Sequence, residues 1–487
     1  MYLSNSDYLM GLDCVKALWL KKNRKEIMPE YDEATLATFD IGNQVQDLAR
    51  DFYPGGIMVD AETWDVENGS VLTKELSEEH DILLEAFAKL PNGCFCRIDI
   101  LVKNDDAWDL IEIKSASSVK DYYIDDLAFQ KYVFENAGYS VKRCKVLHLN
   151  SDYVRHGELD IKQLFAEDDV TDEVLQKKTE VEMYVKGMLS YQTMPDEPEI
   201  PLHSSCSECP FYGYCGKDVP PYSIFDLLRA DKADAFYNST HSYNIKDLPL
   251  EYCTTDKQLI DCDCFLNDKI HVEKENIKKW LNSLEYPLYY LDYETVMPAI
   301  PMFDNTSPYS QVPFQFSLHI QKMPGGPLEH VEFLHQERSD PRRSLAEALV
   351  KNCGKKGSVV VYNQQFEKSR NKELADLFPD LRDDILVINE RVVDQLIPFR
   401  NRYLYSPKQK SSASIKYVLP AFSDLSYKGM NIANGGDAMT KYLAFLNGYQ
   451  TEEESRQMFA DLLKYCGQDT YAMVLLMDVL YKYANTK

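Results

Sequence analysis

Apolar residues form two short runs in the first half of the chain, and a polar turn separates them. The runs 97–102 and 110–114 are rich in Ile, Leu and Val, and the turn covers 103–107. Two such runs around a short polar turn are typical of two strands paired in a hairpin. A further apolar run at 138–150 predicts another strand.

Helical patterns flank these strands. Apolar residues recur at helical spacing within 1–20, with Ser6 or Asp7 as the expected cap, and the charged stretch 169–191 also predicts a helix. After the Pro220-Pro221 pair, the pattern predicts two short helices joined by a turn. We interpret that stretch as part of a linker.

Three ionisable residues interrupt the two apolar runs. Asp99 lies in the first run, while Glu112 and Lys114 lie two apart in the second and therefore project from one face of a strand. Burying them is costly unless a metal ion or a charged substrate balances their charge, and paired carboxylates suit Mg²⁺. Ordinary cross-strand salt bridges on a solvated face are the alternative interpretation, and such spacings are common by chance.

A second group of acids lies in the second half of the chain. Asp292 and Glu294 are two apart in the apolar run 286–295, so they share a face of the predicted strand. A second predicted strand at 357–362 leads into a helix that carries Glu367.

A helical pattern near the C-terminus completes this group. Tyr465 and Asp469 are four residues apart, which makes them neighbours on one helix face. Four acids from three elements can converge on two cations, with the Tyr hydroxyl positioning a water. Taken singly, each acid is as well explained as a helix cap or a surface ion pair.

The first set of residues resembles the RecB-like branch of the PD-(D/E)XK nuclease superfamily, which includes CRISPR-associated adaptation exonucleases and the AddB repair nucleases. The resemblance implies that Asp99 and Glu112 bind the metal, that Lys114 is catalytic and that Gln130, on the following helix, lies near the site.

The chain departs from that family at two positions. Phe134 stands where the family often has Tyr, and Gln46 stands where it often has a metal-binding His. We expect Glu85, on a predicted preceding helix, to be a substitute acid. The Gln46 departure leaves open whether this site has full activity.

Three closely spaced cysteines suggest a metal cluster. Cys206 and Cys209 form a C-x-x-C pair and Cys215 follows, but the second pair of a zinc ribbon is missing. A cubane cluster held by four cysteines tolerates uneven spacing. The resemblance to iron–sulfur RecB-like nucleases implies that Cys14 is the fourth ligand of a [4Fe–4S] cluster. Zn²⁺ and a metal-free cysteine cluster stay as alternatives.

The second set resembles the DEDDy exonucleases, which have an RNase H-like fold. The resemblance implies metal binding by Asp292, Glu294 and Asp469, and a water-orienting role for Tyr465. Glu367 occupies a position where that family usually has Asp, and such a shift of a carboxylate affects a metal site. Asp394 is a candidate extra acid, and a degraded, non-catalytic domain is the alternative.

Four motifs also resemble a bacterial domain-of-unknown-function family, the one numbered 2779. They are LDYET, PFQFSLH, SIKYVLPA and YCGQDT, and all lie in the second half of the chain. The stretch 402–427 around SIKYVLPA is locally basic, which is compatible with a nucleic-acid path or with a solvated loop.

Composition limits the possible classes of function. A chain of 487 residues is long enough for two or three domains. The sequence has no run long enough to span a membrane and no secretory signal pattern, so we expect no membrane partner and a cytoplasmic location. A formal charge of −25 argues against broad coating of duplex DNA. The twelve cysteines are scattered and do not resemble a disulfide framework.

The sequence therefore predicts an α/β protein with three parts. Residues 1–218 are expected to form a PD-(D/E)XK restriction-endonuclease-like domain with the [4Fe–4S] cluster, 219–283 a helical linker, and 284–487 an RNase H-like DEDD exonuclease domain.

The expected function is hydrolysis of phosphodiester bonds with Mg²⁺ or Mn²⁺, acting as an exonuclease on DNA in repair, CRISPR adaptation-like processing or phage defence. RNA is the alternative substrate. Activity at only one site, or a non-catalytic nucleic-acid-binding scaffold, is the alternative function. The sequence identifies no protein partner.

Overall fold

Two compact units make up the chain in the computed structural model, which describes residues 1–485. Unit 1 comprises Met1–Leu202, Cys206–Lys217 and Ala299–Ser310, and unit 2 comprises His203–Ser205, Asp218–Pro298 and the chain from Gln311 onward. The expected linker 219–283 thus lies within unit 2, and the predicted domain boundaries stay a prediction. The predicted mixed α/β class is confirmed.

Unit 1 is built on a six-stranded mixed sheet. Its strands, which are neighbours in the order of their numbers, are β1 (Ile57–Met58), β2 (Ile82–Lys89), β3 (Phe95–Asn104), β4 (Ala107–Lys114), β5 (Val141–Leu149) and β6 (Phe165–Asp169). Its helices are α1 (Asn5–Asp13), α2 (Val15–Asn23), α3 (Glu33–Arg50), α4 (Val66–Glu79), α5 (Asp121–Asn136), α6 (Ile161–Leu164), α7 (Thr171–Gln176), α8 (Lys178–Tyr191) and α9 (Tyr212–Cys215).

The hairpin and the crossover around β4 position the predicted residues. β3 and β4 pair antiparallel across a tight turn in which Asp105 has a φ of 57°, a left-handed conformation that Asp tolerates better than most residues. β5 then pairs parallel to β4, which requires a crossover, and α5 provides it. The side chain of Ser4, rather than Ser6 or Asp7, caps α1, and Asp7 completes its capping box.

Apolar side chains cover both faces of this sheet. One face packs against α5 through residues such as Leu110, Val146 and Phe129, and the other packs against α3 through Ile111 and Val45. Unit 1 is therefore a helix–sheet–helix arrangement, which is one of the few stable ways to bury a mixed sheet.

Unit 2 is built on a five-stranded mixed sheet in the order β10-β9-β8-β11-β12. Its strands are β7 (His271–Val272), β8 (Leu288–Val296), β9 (Val312–Gln321), β10 (Leu328–Leu334), β11 (Val359–Val361), β12 (Val392–Asp394) and β13 (Leu404–Tyr405), of which β7 and β13 form a separate antiparallel pair.

The helices of unit 2 surround its sheet and extend over the expected linker. They are α10 (Ile224–Leu227), α11 (Ala230–Thr240), α12 (Asp256–Leu266), α13 (Lys274–Leu281), α14 (Arg342–Asn352), α15 (Gln364–Leu377), α16 (Arg382–Glu390), α17 (Leu396–Arg400), α18 (Ile415–Phe422), α19 (Gly435–Leu446) and α20 (Glu452–Asn485). Short 3₁₀ turns occur at Lys25–Ile27, Ser204–Glu208, Ile245–Asp247, Leu250–Tyr252 and Pro407–Gln409.

β8 is the central strand, and its two faces differ in character. Leu291 and Tyr293 pack into an apolar core with Phe316 and with residues of α14, α15 and α16. Asp292 and Glu294 alternate with these residues and so project from the opposite face. Strands β8, β9 and β10 pair antiparallel, while β11 and β12 extend the sheet in parallel.

None of the helices within residues 1–485 is both long enough and apolar enough to cross a lipid bilayer.

A buried ion pair in unit 2 provides a test of this packing. The Arg402 guanidinium donates to both carboxylate oxygens of Asp261 on α12, at 2.7 Å each, and both residues are buried. We expect Asp261→Asn to reduce the free energy of unfolding by about 3–5 kcal/mol, because it leaves a buried charge without its partner.

Asp263→Asn is the matched control on the same helix, since Asp263 pairs with Lys269 at 2.6 Å where both side chains are about half exposed. It should change the stability by less than about 1 kcal/mol. Denaturant unfolding followed by circular dichroism measures both variants, and equal effects would contradict the structural role of the buried pair.

Candidate functional site

Unit 1 brings four predicted residues into one hydrogen-bonded network between β3, β4 and α5. The Lys114 ammonium donates to Glu112 Oε1 and to Asp126 Oδ2, both at 2.8 Å. The Gln130 amide donates to the same two carboxylates, at 2.9 Å and 3.0 Å. Asp99 accepts the backbone N–H of Ile113 on β4 at 2.7 Å.

The position of Gln46 explains how α3 contributes to this network. Its amide nitrogen donates to Glu85 at 2.6 Å and to Asp99 at 2.7 Å. Glu85 also pairs with Arg50 and with Arg97, both at 2.9 Å. Each of these two acids therefore already has a donor from the protein.

The expectation that Glu85 lies on a helix is wrong, because Glu85 is in the middle of strand β2. Its φ is 58°, a left-handed conformation that is rare for a non-glycine residue and costs roughly 1–3 kcal/mol. The neighbouring ladder pairs are Leu84 with Ile100 and Ala86 with Ile98, so Glu85 lies at the level of Asp99. Local strain of this kind concentrates at functional sites.

The positive charges of this network do not fully balance its carboxylates. Burial and the nearby Glu85 raise the pKa of Asp99 to about 7, and burial and Asp99 raise the pKa of Glu112 well above its ordinary value. Burial lowers the pKa of Lys114, but the charges of Glu112 and Asp126 outweigh that effect and the net pKa is well above normal. The protonated forms of Asp99 and Glu112 are thus favoured, and within residues 1–485 these acids are not part of any group of three ligands whose atoms lie within 4.8 Å of one another.

Unit 2 gathers acids from β8 and α20 around a cavity of about 350 Å³. Its lining includes Asp292, Glu294, Tyr465 and Asp469, together with Tyr293, Thr295, Tyr362, Phe366, Ile415, Gly435, Gly436, Met439 and Met473. Ligand atoms of Asp292, Glu294 and Cys466 lie within 4.8 Å of one another. Four of the five predicted residues of this site therefore face one space.

Glu367, the fifth, lies on the first turn of α15 and is not among the lining residues. It is buried, and its Oε2 atom has no hydrogen-bond partner among the residues that the structure describes. Burial and the charge of Asp292 raise its pKa well above normal. Its carboxylate is therefore close enough to Asp292 to influence the site.

Asp394, the candidate extra acid, is held by the backbone. Its Oδ1 atom accepts the N–H groups of Asn363 at 3.0 Å and of Leu396 at 2.9 Å. That arrangement stabilises the turns that follow β11 and β12.

The acids that line the unit 2 cavity have raised pKa values. Burial and the charge of Asp469 raise the pKa of Asp292 well above normal, and burial and Asp292 do the same for Glu294. Burial raises the pKa of Asp469 to about 6, although hydrogen bonds from Tyr427 and Tyr465 oppose the shift. Within residues 1–485, no ion pair includes any of these acids.

Sequence reasoning missed several residues of this site. The Tyr427 hydroxyl donates to Asp469, and the first residues of α19 form part of the cavity wall, with Gly435 close to Glu294. Lys416 lies within the basic stretch 402–427, and its charge lowers the pKa of Glu294 and of Asp469. No spacing rule connects these positions to the acids, since they belong to loops and to other helices.

The predicted cysteine ligands lie in unit 1. Cys14 caps the break between α1 and α2 and packs with Cys209 and Cys215 around the buried side chain of Phe211. The backbone N–H of Cys209 donates to the carbonyl of Cys206 at 3.0 Å. Three of the four cysteines thus pack against the same apolar cluster, but within residues 1–485 no three of the four bring their sulfur atoms within 4.8 Å of one another.

The repulsion among the acids of the unit 2 cavity leads us to expect that removing one of them stabilises the protein. Asp292→Asn should increase the free energy of unfolding by roughly 1–2 kcal/mol in metal-free buffer, because it removes a buried charge that Asp469 repels. Glu453→Gln, at an exposed site near the start of α20, is the control and should change little. Thermal unfolding in the presence of a chelator measures both, and destabilisation by Asp292→Asn would contradict the account of repulsion.

Comparisons with known proteins find relatives that have no assigned function. Residues 289–414 match the family described as Domain of unknown function (DUF2779). The chain is 26% identical over 221 residues to "Uncharacterized protein MG366" of Mycoplasma genitalium, which is 41% of this chain and 33% of that protein.

Two further relatives show a similar degree of similarity. "Uncharacterized protein MG366 homolog" of Mycoplasma pneumoniae is 26% identical over 231 residues, covering 43% of this chain and 34% of that protein. "Uncharacterized protein UU173" of Ureaplasma parvum is 27% identical over 285 residues, covering 54% and 40%. The matched regions thus span about a third to two fifths of the length of these curated relatives.

Proposed function

We propose that the chain is a metal-dependent nuclease that hydrolyses phosphodiester bonds of nucleic acid, with DNA as the preferred substrate. The observation that carries this proposal is the set of carboxylates around the unit 2 cavity, of which Glu294 and Asp469 are buried and none forms an ion pair within residues 1–485. Buried charges are normally paired or bound to a metal. Closely spaced carboxylate oxygens suit Mg²⁺ or Mn²⁺.

The two units support the proposed folds in different ways. For unit 1, the PD-(D/E)XK assignment is supported by a hairpin and a crossover helix that hold Asp99, Glu112, Lys114 and Gln130 in one network. For unit 2, the RNase H-like assignment is supported by a mixed sheet whose central strand carries the D-x-E pair opposite the helix with Tyr465 and Asp469.

The residues of unit 2 define the chemistry that the site would perform. Asp292, Glu294 and Asp469 would hold a divalent cation, which supplies Lewis-acid activation of water and of the scissile phosphate. Burial and the surrounding acids raise the pKa of Tyr465, so its hydroxyl keeps its proton and can donate a hydrogen bond that orients a water.

Unit 1 is the second candidate centre. Asp99 and Glu112 would hold the cation there, and the Lys114 ammonium would stabilise negative charge on the substrate. Its acids already receive hydrogen bonds from Gln46, Lys114 and Gln130, so a cation would replace existing donors. For that reason we propose unit 2 as the principal hydrolytic site, with RNA trimming or a non-catalytic scaffold as its alternatives.

We also propose that Cys14, Cys206, Cys209 and Cys215 hold a [4Fe–4S] cluster with a structural role. The support is that Cys14, Cys209 and Cys215 pack against the same apolar cluster although more than 190 residues separate the first from the others. A group that links such distant positions closes a long loop and stabilises the folded state.

Separate substitutions assign activity to a site. Asp292→Ala should reduce cleavage by at least about a hundredfold, since it removes a ligand of the principal site, whereas Glu112→Ala should leave most of the activity. Labelled single-stranded DNA, duplex DNA and RNA with Mn²⁺ are the substrates. The control is Asp263→Asn, whose side chain is on the surface.

The outcomes separate the alternatives. Loss of activity in Glu112→Ala alone would assign the chemistry to unit 1. If the wild type binds these nucleic acids but cuts none of them, the scaffold function replaces the nuclease proposal.

The proposed cluster has its own readout. Protein purified without oxygen should be brown, with broad absorbance near about 400 nm, and should contain about four iron atoms per chain. Cys209→Ala should lose both the colour and the iron. Cys353→Ala, at a buried cysteine of the unit 2 core, should keep them. A colourless protein with stoichiometric zinc would exclude the cubane.

A further inference from the structure

Lys416 is a cation of unit 2 that lies close to the residues of the acidic cavity. It lies in the first turn of α18, and its charge lowers the pKa of both Glu294 and Asp469. A lysine ammonium has three N–H donors. One of them donates to the carbonyl of Ala433 at 2.9 Å.

The ammonium also contacts the two tyrosines of the site. Its nitrogen lies 5.8 Å from the ring centroid of Tyr427 and 5.8 Å from that of Tyr465. The two rings meet edge to face with centroids 6.0 Å apart, and the Tyr427 hydroxyl donates to Asp469. Cation–π contacts with partly desolvated rings fix the relative positions of both partners.

The bond to Ala433 links Lys416 to the segment that precedes α19, whose first residues line the cavity. Ala433 immediately precedes Asn434, whose side chain caps α19. The next residue, Gly435, lies so close to Glu294 that a β-carbon there would be 3.8 Å from its Oε2 atom. Lys416 thus holds together the tyrosine pair and the segment that approaches the carboxylates.

We infer that Lys416 is a positioning residue that also supplies a resident positive charge to the acidic cavity. Before substrate binds, the Lys416 ammonium offsets part of the negative charge of the carboxylates. A divalent cation therefore binds to them less tightly. When the anionic strand enters, the ammonium offers its remaining donors to a phosphate, and the tyrosines and Asp469 are already in place. The inference rests on the proposed function of this site.

The charge of Lys416 should weaken metal binding but speed cleavage, and each of these two effects can be measured. Lys416→Met should bind Mn²⁺ roughly three- to tenfold more tightly, because a like charge close to the metal ligands is removed. The same variant should cleave at least about tenfold more slowly and bind a non-cleavable single-stranded DNA less tightly. Lys416→Arg should keep the Mn²⁺ affinity near that of the wild type.

Lys408→Met is the matched control, since Lys408 lies in the same basic stretch but is exposed. It should leave Mn²⁺ affinity and the cleavage rate unchanged. Calorimetry or paramagnetic resonance of Mn²⁺ measures binding on its own, and a phosphorothioate strand measures nucleic-acid affinity without turnover. Thermal unfolding of each variant confirms that it is folded.

Each outcome decides the inference. Tighter Mn²⁺ binding together with slower cleavage supports it. Weaker binding and slower cleavage together would indicate a purely structural residue, and unchanged values for both would show that Lys416 has no part in the site. If the wild type binds no Mn²⁺ and cuts nothing, the metal site itself fails and the inference fails with it.

Discussion

The cost of burying carboxylates without counterions is the constraint on which the site in unit 2 depends. Asp292 and Glu294 project from the same face of the central strand because they are two apart, so their mutual repulsion is fixed by the sequence. α20 then brings Asp469 to the same cavity. The fold holds these groups together by burying apolar residues on the other face of β8. A cation is the simplest group that relieves the repulsion.

In unit 1, side chains of the protein itself bond to the carboxylates. Four acids there, Glu85, Asp99, Glu112 and Asp126, receive bonds from three cations and two glutamine amides. The amide of Gln46 bridges two carboxylates, as a metal ion would do, but it has no net charge to offer. The pKa of Asp99 is still raised to about 7, so the compensation is incomplete. The contrast between the units lies in how much of the negative charge the protein itself neutralises.

Much of this arrangement could be predicted from local patterns. Strand spacing placed Glu112 beside Lys114, and helical spacing placed Tyr465 beside Asp469, because both depend only on the repeat of one element. The hairpin and the strand that carries Asp292 and Glu294 also followed from runs of apolar residues. Such inferences depend on a few neighbouring residues and are therefore robust.

Other features depend on tertiary packing, which no single segment encodes. Side chains along β2 do not alternate strictly between the two faces of the sheet, because Glu85 has a left-handed backbone conformation. As a result, Leu84 and Ala86, which are two apart, pack into different cores. Tyr427 and Lys416 reach the acids from separate segments. A basic stretch looks the same in sequence whether its lysines are solvated or directed into a cavity.

The net charge of the chain becomes easier to understand from these local arrangements. A formal charge of −25 opposes the approach of a nucleic acid at long range, yet screening limits that effect to roughly 10 Å at moderate ionic strength. Within that distance, the few cations that face a substrate determine the local potential. Lys416 is held by a carbonyl and two aromatic rings, so none of the acids takes its charge in a direct ion pair. A strongly acidic protein can therefore keep a positive group beside its acidic cavity, where the proposed function would place a phosphate of the substrate.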